Sequence, residues 1–304
     1  MIQKTEIENY YCPICECKRS INAREIGRSA YMDNVKPFLS IKECAKCGFG
    51  FRYPLLTNDI ILSHYYDNIN YWQGKLVENN IYFKKRAMNR IEFIRDIFSK
   101  SRRDSKMLEV GAYNGAFLQL VRKVFGFHNL YATETDEACI GYMNSRNIKC
   151  SKKIENNKFS LIAMFHVLEH YPEPLAFLKE EVIPYLDKDG FVFIEVPYDD
   201  VRKKEINCLR TSNHTSFFSK ESFKIISKKT GLSLIKMESF GKENKVIKKI
   251  LTNQYSRFFL NATSFLERKI SGHDNILPYF YFLSINDAIK NDKGIVLRVL
   301  LKKY

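Results

Sequence analysis

Between residues 106 and 200 two hydrophobic periods alternate along the chain. Met107-Leu108-Glu109-Val110-Gly111 is a short apolar run ending in an acid and a glycine. Phe117, Leu118, Leu120, Val121 and Val124 then recur at helical spacing. Asn129 to Glu134 is a second strand-like run that ends in an acid, followed by a helix over about 136–146. Phe159–Phe165 is a third, with a helix over about 174–186, a turn at Asp187–Gly190 and a strand at Phe191–Val196 behind it. Strands alternating with helices across short turns predict an α/β fold, a parallel sheet with helices on both faces. Ser219 is placed to cap a helix through Lys229 that Gly231 closes. Leu232–Phe240 and Ile295–Lys303 read as the last two strands of that sheet. The stretch between them, about 241–292, reads as a helical insertion. Inside it, residues 244–270 carry a basic amphipathic pattern (Val246, Ile247, Ile250, Leu251, Phe258, Phe259) suited to a lid, a dimer contact or a membrane surface.

Upstream the pattern changes. Ile81, Ala87, Ile91, Ile94, Ile97 and Phe98 predict a helix within 76–100. It follows the aromatic stretch Tyr65, Tyr66, Tyr71 and Trp72. Before that, Tyr31, Val35, Phe38, Leu39 and Ile41 suffice for short strands only. The organisation expected is a small module at 1–56, a linker and helix at 57–100, and a larger domain at 101–304. A length of 304 residues has room for about two domains.

Eight cysteines sharpen the reading of the small module, because five of them lie within residues 12–47. Cys12-Pro13-Ile14-Cys15 and Cys44-Ala45-Lys46-Cys47-Gly48 are two CxxC knuckles. Each presents two thiolates from a tight turn, and four thiolates close a tetrahedral zinc site. Such a site leaves no open position for a substrate, so the zinc would be structural. Cys17 is a spare thiol; an iron–sulfur cluster or a redox pair are the other readings of the spacing. Met1–Tyr11 is polar and no apolar run approaches the roughly 20 residues of a spanning helix, so a cytoplasmic chain is expected. Net charge is +15, and residues 201–304 hold 21 Lys and Arg against 8 Asp and Glu, a balance of +13. A phosphate-bearing substrate, nucleic acid or an anionic membrane could meet that third of the chain.

The turn after the first strand narrows the ligand. A dinucleotide fingerprint needs a middle glycine, where Tyr113 stands, and no GKS or GKT of a phosphate-binding loop occurs. What remains is Glu109-x-Gly111-x-x-x-Gly115, with Glu134 closing the next strand. A carboxylate there can take both hydroxyls of a ribose, and an acid beside the first loop suits a cationic ligand.

These residues resemble the class I S-adenosylmethionine-dependent methyltransferases over roughly residues 100–304. "LEVGAYNG" looks like the first motif, "YATE" the second, "FSLIAMFHVLEHYPEP" the fourth-motif region, "GFVFIEVP" the fifth strand and "NHTSFFS" a later segment. With its two-knuckle ribbon the chain is similar to bacterial enzymes that methylate nucleotide-linked sugars or surface polysaccharide. Tyr113, Ser160 and the pair Lys152 and Lys153 depart from the common pattern. The resemblance implies a Rossmann-like methyltransferase sheet. It implies S-adenosylmethionine held by Glu109, Gly111, Ala112, Tyr113, Gly115, Glu134, Thr135, Phe165 and His166. It makes His170 and His214 base or substrate-orienting groups, with Tyr198 as a hydrogen-bond donor. His166-x-x-Glu169-His170, with His214, also resembles a divalent-metal motif of some O-methyltransferases. The acceptor expected is a small molecule or nucleotide-linked sugar, on a monomer or homodimer. The alternatives are an RNA methyltransferase and a non-catalytic binding protein of this fold.

Overall fold

The computed structural model describes residues 11–25, 40–53, 81–98, 104–198, 214–240 and 296–304. The aromatic stretch at 65–72, the insertion at about 241–292 with its amphipathic segment, Tyr31 to Leu39 and Cys208 lie outside the described residues.

The main sheet has seven strands. β4 (Lys106–Val110), β5 (Asn129–Thr133), β6 (Lys149–Ser151), β7 (Phe159–Phe165) and β8 (Leu186–Pro197) are parallel. β10 (Ser233–Phe240) and β11 (Val296–Lys302) complete it, in the order β10-β11-β8-β7-β4-β5-β6. β11 runs antiparallel to both of its neighbours. α1 (Ile81–Phe98), α2 (Ala116–Phe125), α3 (Glu137–Asn144) and α5 (Lys220–Thr230) are regular helices. α4 opens at Pro174–Phe177 and continues as a wider turn, Leu178–Val182, and a tighter one, Ile183–Tyr185. Pro184 cannot donate to an α-helical ladder, which accounts for the irregular end.

Alternate strand residues divide between two apolar cores, as the period of two requires. Leu108, Ile162, Met164 and Ile194 point to one face; Met107, Leu161, Ala163 and Phe193 point to the other. The second face is covered by α1 and α2, with Phe93 of α1 stacked on Phe193 at 5.2 Å between ring centres. The turn read at Asp187–Gly190 is instead a bulge inside β8. Phe159 pairs with Leu186, but Leu161 pairs with Phe191, and Asp189 takes a positive φ of 61° to absorb the excess. α5 is as the pattern predicts. Ser219 and Ser222 form a capping box, and Gly231 ends the helix in the left-handed region at φ 70°.

The cysteine module lies on the first face. β1 (Ser20–Glu25), β2 (Ser40–Cys44) and β3 (Gly50–Tyr53) form an antiparallel sheet whose fourth strand, β9 (Ser216–Phe217), comes from the chain after β8. Phe49 packs edge-on against Phe218 at 5.2 Å, and Cys12, Cys44 and Cys47 share one core with Phe218, Phe223 and Ile226. Among the described residues no helix is long and apolar enough to cross a membrane.

Candidate active site

Chain order reverses beside β4: the strands that follow it lie to one side, and β7 returns to the other. Ligands of open α/β sheets bind in the crevice beyond the strand ends at such a point. Two loops meet there, 111–115 after β4 and 166–170 after β7.

The first loop turns on two amides, with Gly111 N and Ala112 N donating to Thr133 O at 2.9 and 3.1 Å. Gly111 has φ 65°, and a Cβ there would meet Val167 Cγ2 at 2.7 Å, so only glycine lets the two loops approach. Tyr113 adopts φ 51° without being glycine, a strained position of the kind that gathers at binding sites. Its amide is held by Glu134 Oε2 at 2.8 Å, while Oε1 accepts from Thr135 N at 2.7 Å. Glu134 thus latches the loop after β4 to the end of β5. Glu109 lies buried beneath, and burial pushes its carboxyl up to about 8. Phe165 is buried between Phe117 and Phe193, with the Arg90 guanidinium 3.9 Å above its ring.

The second loop brings a cluster of ionisable groups together. His166 has φ 56° and donates its amide to Glu195 O at 2.8 Å. Its ring lies between two buried carboxylates, Nδ1 3.3 Å from Glu169 Oε1 and Nε2 3.3 Å from Glu195 Oε1, and it also meets Arg86. Burial alone would lower the His166 pKa, but the two carboxylates raise it above the ordinary value. Glu169 is 1% exposed, and among the described residues neither of its oxygens has an aligned hydrogen bond. Burial raises its pKa, yet His166, His170 and His214 together hold it below the ordinary carboxylate value. His214 Nε2 is 3.9 Å from Glu169 Oε1, and the His170 and His214 rings meet edge to face at 5.2 Å. The ligand atoms of Glu169, His170 and His214 all lie within 4.8 Å of one another, close enough to converge on a metal ion. Tyr198, half-buried, packs against the first-face core just past β8.

Glu195 anchors the wall behind this loop. Its Oε1 accepts from Arg90 at 2.6 and 3.1 Å and from Arg86 at 3.2 Å, and its Oε2 from Arg298 at 2.6 Å. Burial pushes its pKa up, but Arg90 and Arg298 hold it well below the ordinary value. Arg86 and Arg90, four apart on α1, were absent from the candidates named by sequence, as were Glu195 and Arg298. The one signal was Glu195 itself, an acid inside the otherwise apolar run of a central strand, which requires a buried cation.

On the first face the four knuckle thiols converge. Cys12 and Cys47 Sγ are 3.6 Å apart and Cys15 and Cys44 Sγ 3.3 Å apart, and Ile14 N and Lys46 N each donate to a sulfur at 3.4 Å. The Cys47 thiol pulls Cys12 down to about 6, while burial pushes Cys44 up to about 12. Four sulfurs at these spacings fit a tetrahedral thiolate site.

The fold and the paired loops define a class I methyltransferase architecture. The family model described as "Methyltransferase domain" matches residues 82–237, half of the chain, and the protein belongs to that family. It is an S-adenosylmethionine-dependent methyltransferase. No curated protein matches its sequence. Among solved structures, one chain of the complex between the Haloferax volcanii Trm112 methyltransferase activator and its candidate methyltransferase is 10% identical, with TM-score 0.50, covering 78% of this chain and 96% of that one. A SAM dependent methyltransferase from Archaeoglobus fulgidus is 15% identical, with TM-score 0.48, covering 79% of this chain and 99% of that one. At 10% identity the likeness to the first of these is one of fold alone.

Proposed function

We propose that this enzyme transfers a methyl group from S-adenosylmethionine to a sugar, as a nucleotide-linked unit or a polysaccharide component. The observation that carries the reading is the Glu169–His170–His214 cluster at the edge of the donor loops. Methyl transfer is an in-line displacement, so the protein mainly positions donor and acceptor. The donor supplies an electrophilic methyl group on a sulfonium. Glu134 and Thr135 take its ribose, and Gly111, Ala112, Tyr113 and Gly115 line its approach. Glu109 lies beneath them and becomes charged when the cationic donor binds, while Phe165 and His166 close the side toward β7. A sugar hydroxyl or carbon acid must lose a proton to attack, and His170 or His214 takes it, with the resulting imidazolium stabilised by Glu169. Tyr198 donates a hydrogen bond to the acceptor. The excess of +13 in residues 201–304 favours an acceptor that carries phosphate. Cys12, Cys15, Cys44 and Cys47 hold a structural zinc ion.

The test uses S-adenosylmethionine labelled in its methyl group, offered with nucleoside-diphosphate sugars, bacterial polysaccharide and RNA. Label enters a sugar and is lost in His170→Asn or His214→Asn. Label in RNA alone overturns the sugar reading. A second reading rests on the mutual 4.8 Å distances: the cluster holds a divalent ion that lowers the pKa of an acceptor hydroxyl. Activity that a chelator removes while the ribbon metal stays bound would favour it.

Glu109 gives a pH dependence. Its free carboxyl titrates at about 8, so it is protonated at pH 7. A cationic donor favours the charged form, so binding lowers this pKa and releases a proton. Affinity for S-adenosylmethionine therefore rises with pH up to about 8, by at most about tenfold per unit. Calorimetry in two buffers of different ionisation enthalpy reads the proton released, and Glu109→Gln flattens the profile.

A further inference from the structure

We infer that the cysteine ribbon positions the acceptor side of the active site, acting through Arg52 on the backbone that carries His214; this rests on the acceptor role proposed for that histidine. The ribbon sheet is completed by β9, which begins two residues after His214. Gly50 and Phe51 of β3 pair with Phe217 and Ser216. Arg52 extends the pairing past the end of β9: its amide donates to Thr215 O at 3.0 Å, and its Nε donates to His214 O at 2.6 Å. Arg52 is 1% exposed, so its guanidinium is part of the interior and not a surface charge.

The far side of the same segment is tied to the loop after β7. Thr215 N donates to Glu169 O at 2.9 Å, and Ser216 Oγ donates to Tyr171 O at 2.6 Å. Further along, Ser219 Oγ donates to Cys47 O at 2.6 Å, directly onto the second knuckle. Residues 214–219 are thus stitched to the ribbon on one side and to residues 169–171 on the other. His214 stands at the head of this segment, facing Glu169 and His170. A displacement of β3 must move the backbone at His214, because two hydrogen bonds from Arg52 hold the consecutive carbonyls of His214 and Thr215. The donor loop is built differently, on Thr133 and Glu134 at the far side of β4.

Arg52 is therefore a positioning residue. Arg52→Met keeps the apolar stem and removes the donors; Arg52→Lys keeps one donor within reach. Both variants are compared with the unaltered protein as the full zinc-loaded chain. Nitrogen NMR reads the histidine rings, with His214 assigned through His214→Asn, and calorimetry reads S-adenosylhomocysteine binding. In Arg52→Met the ring-nitrogen resonances of His214 shift at fixed pH, as its distance to Glu169 and His170 changes. The S-adenosylhomocysteine Kd stays within about twofold. Arg52→Lys restores part of the His214 shift, which a general loss of stability would not do. If Arg52→Met does not fold, Ser219→Ala loosens the other end and produces a smaller shift of the same resonance. His214 unmoved in a folded, zinc-loaded variant overturns the inference. Failure of the unaltered protein to bind S-adenosylhomocysteine overturns the donor reading instead, and leaves the His214 result standing.

Discussion

Replacing Glu195 by glutamine lowers the unfolding free energy by about 3–5 kcal/mol, the cost of stranding a buried charge without its partner. The environment of this carboxylate makes the size of the effect. The side chains of Arg298 and Arg90 are 6% and 12% exposed, and with Arg86 they converge on two oxygens that are themselves 1% exposed. An amide offers one oxygen in place of two and turns an NH2 toward a guanidinium. In the variant the cations keep their desolvation cost and lose the counter-charge that offset it. At about 2–4 °C per kcal/mol for a domain of this size, the melting temperature falls by roughly 10 °C. Differential scanning calorimetry reads the shift, and a loss below about 1 kcal/mol would show that the arginines find other partners. Glu195→Gln combined with Arg298→Met recovers part of the loss, because one stranded cation is removed with its partner. The pH dependence has a definite sign. The folded-state pKa of Glu195 lies below its ordinary value of 4.5, so its stabilisation is present above that pH and fades as pH falls further. The variant lacks that part of the acid loss.

Glu134→Ala weakens S-adenosylhomocysteine binding by about a hundredfold, while the stability of the fold falls by less. Hydrogen bonds to a charged group are worth about 1.5–3 kcal/mol each, and a hundredfold corresponds to about 2.7 kcal/mol. Two losses combine in this one change. The carboxylate that would take the ribose hydroxyls is gone, and so is the acceptor that holds Tyr113 N at 2.8 Å and Thr135 N at 2.7 Å. Tyr113 keeps its left-handed conformation only while the surroundings impose it. Free of its latch, the loop after β4 reaches more conformers, and binding must reorder it. Glu134 is half-buried at a strand end, outside both apolar cores, so global stability falls by only about 1–2 kcal/mol, less than the change in binding. A calorimetric Kd within about threefold of the unaltered protein would remove Glu134 from the donor site.

The sequence by itself determined the elements and most of the loop geometry after β4 and β5. Strands buried on both faces must be apolar nearly throughout, so β4, β7 and β8 stand out as runs. The cap at Ser219 and the stop at Gly231 are local, each decided by neighbours within one turn. The knuckle cysteines and the proposed donor loop are local too: Glu109, Gly111, Gly115 and Glu134 lie within a few residues of strand ends. Tertiary structure alone decided the pairings between distant segments. Arg86 and Arg90 have the spacing of an ordinary solvated helix face, and nothing near them in sequence calls for an acid; Glu195 meets them more than 100 positions later. β9 is two residues long, too short for any period to register, yet it joins the ribbon sheet just after His214, which lies 162 positions beyond Arg52. Hydrophobic periodicity reports which face of an element is buried. It carries no information about which distant polar group shares that burial, and in this protein the wall behind the loop after β7 is built from such groups.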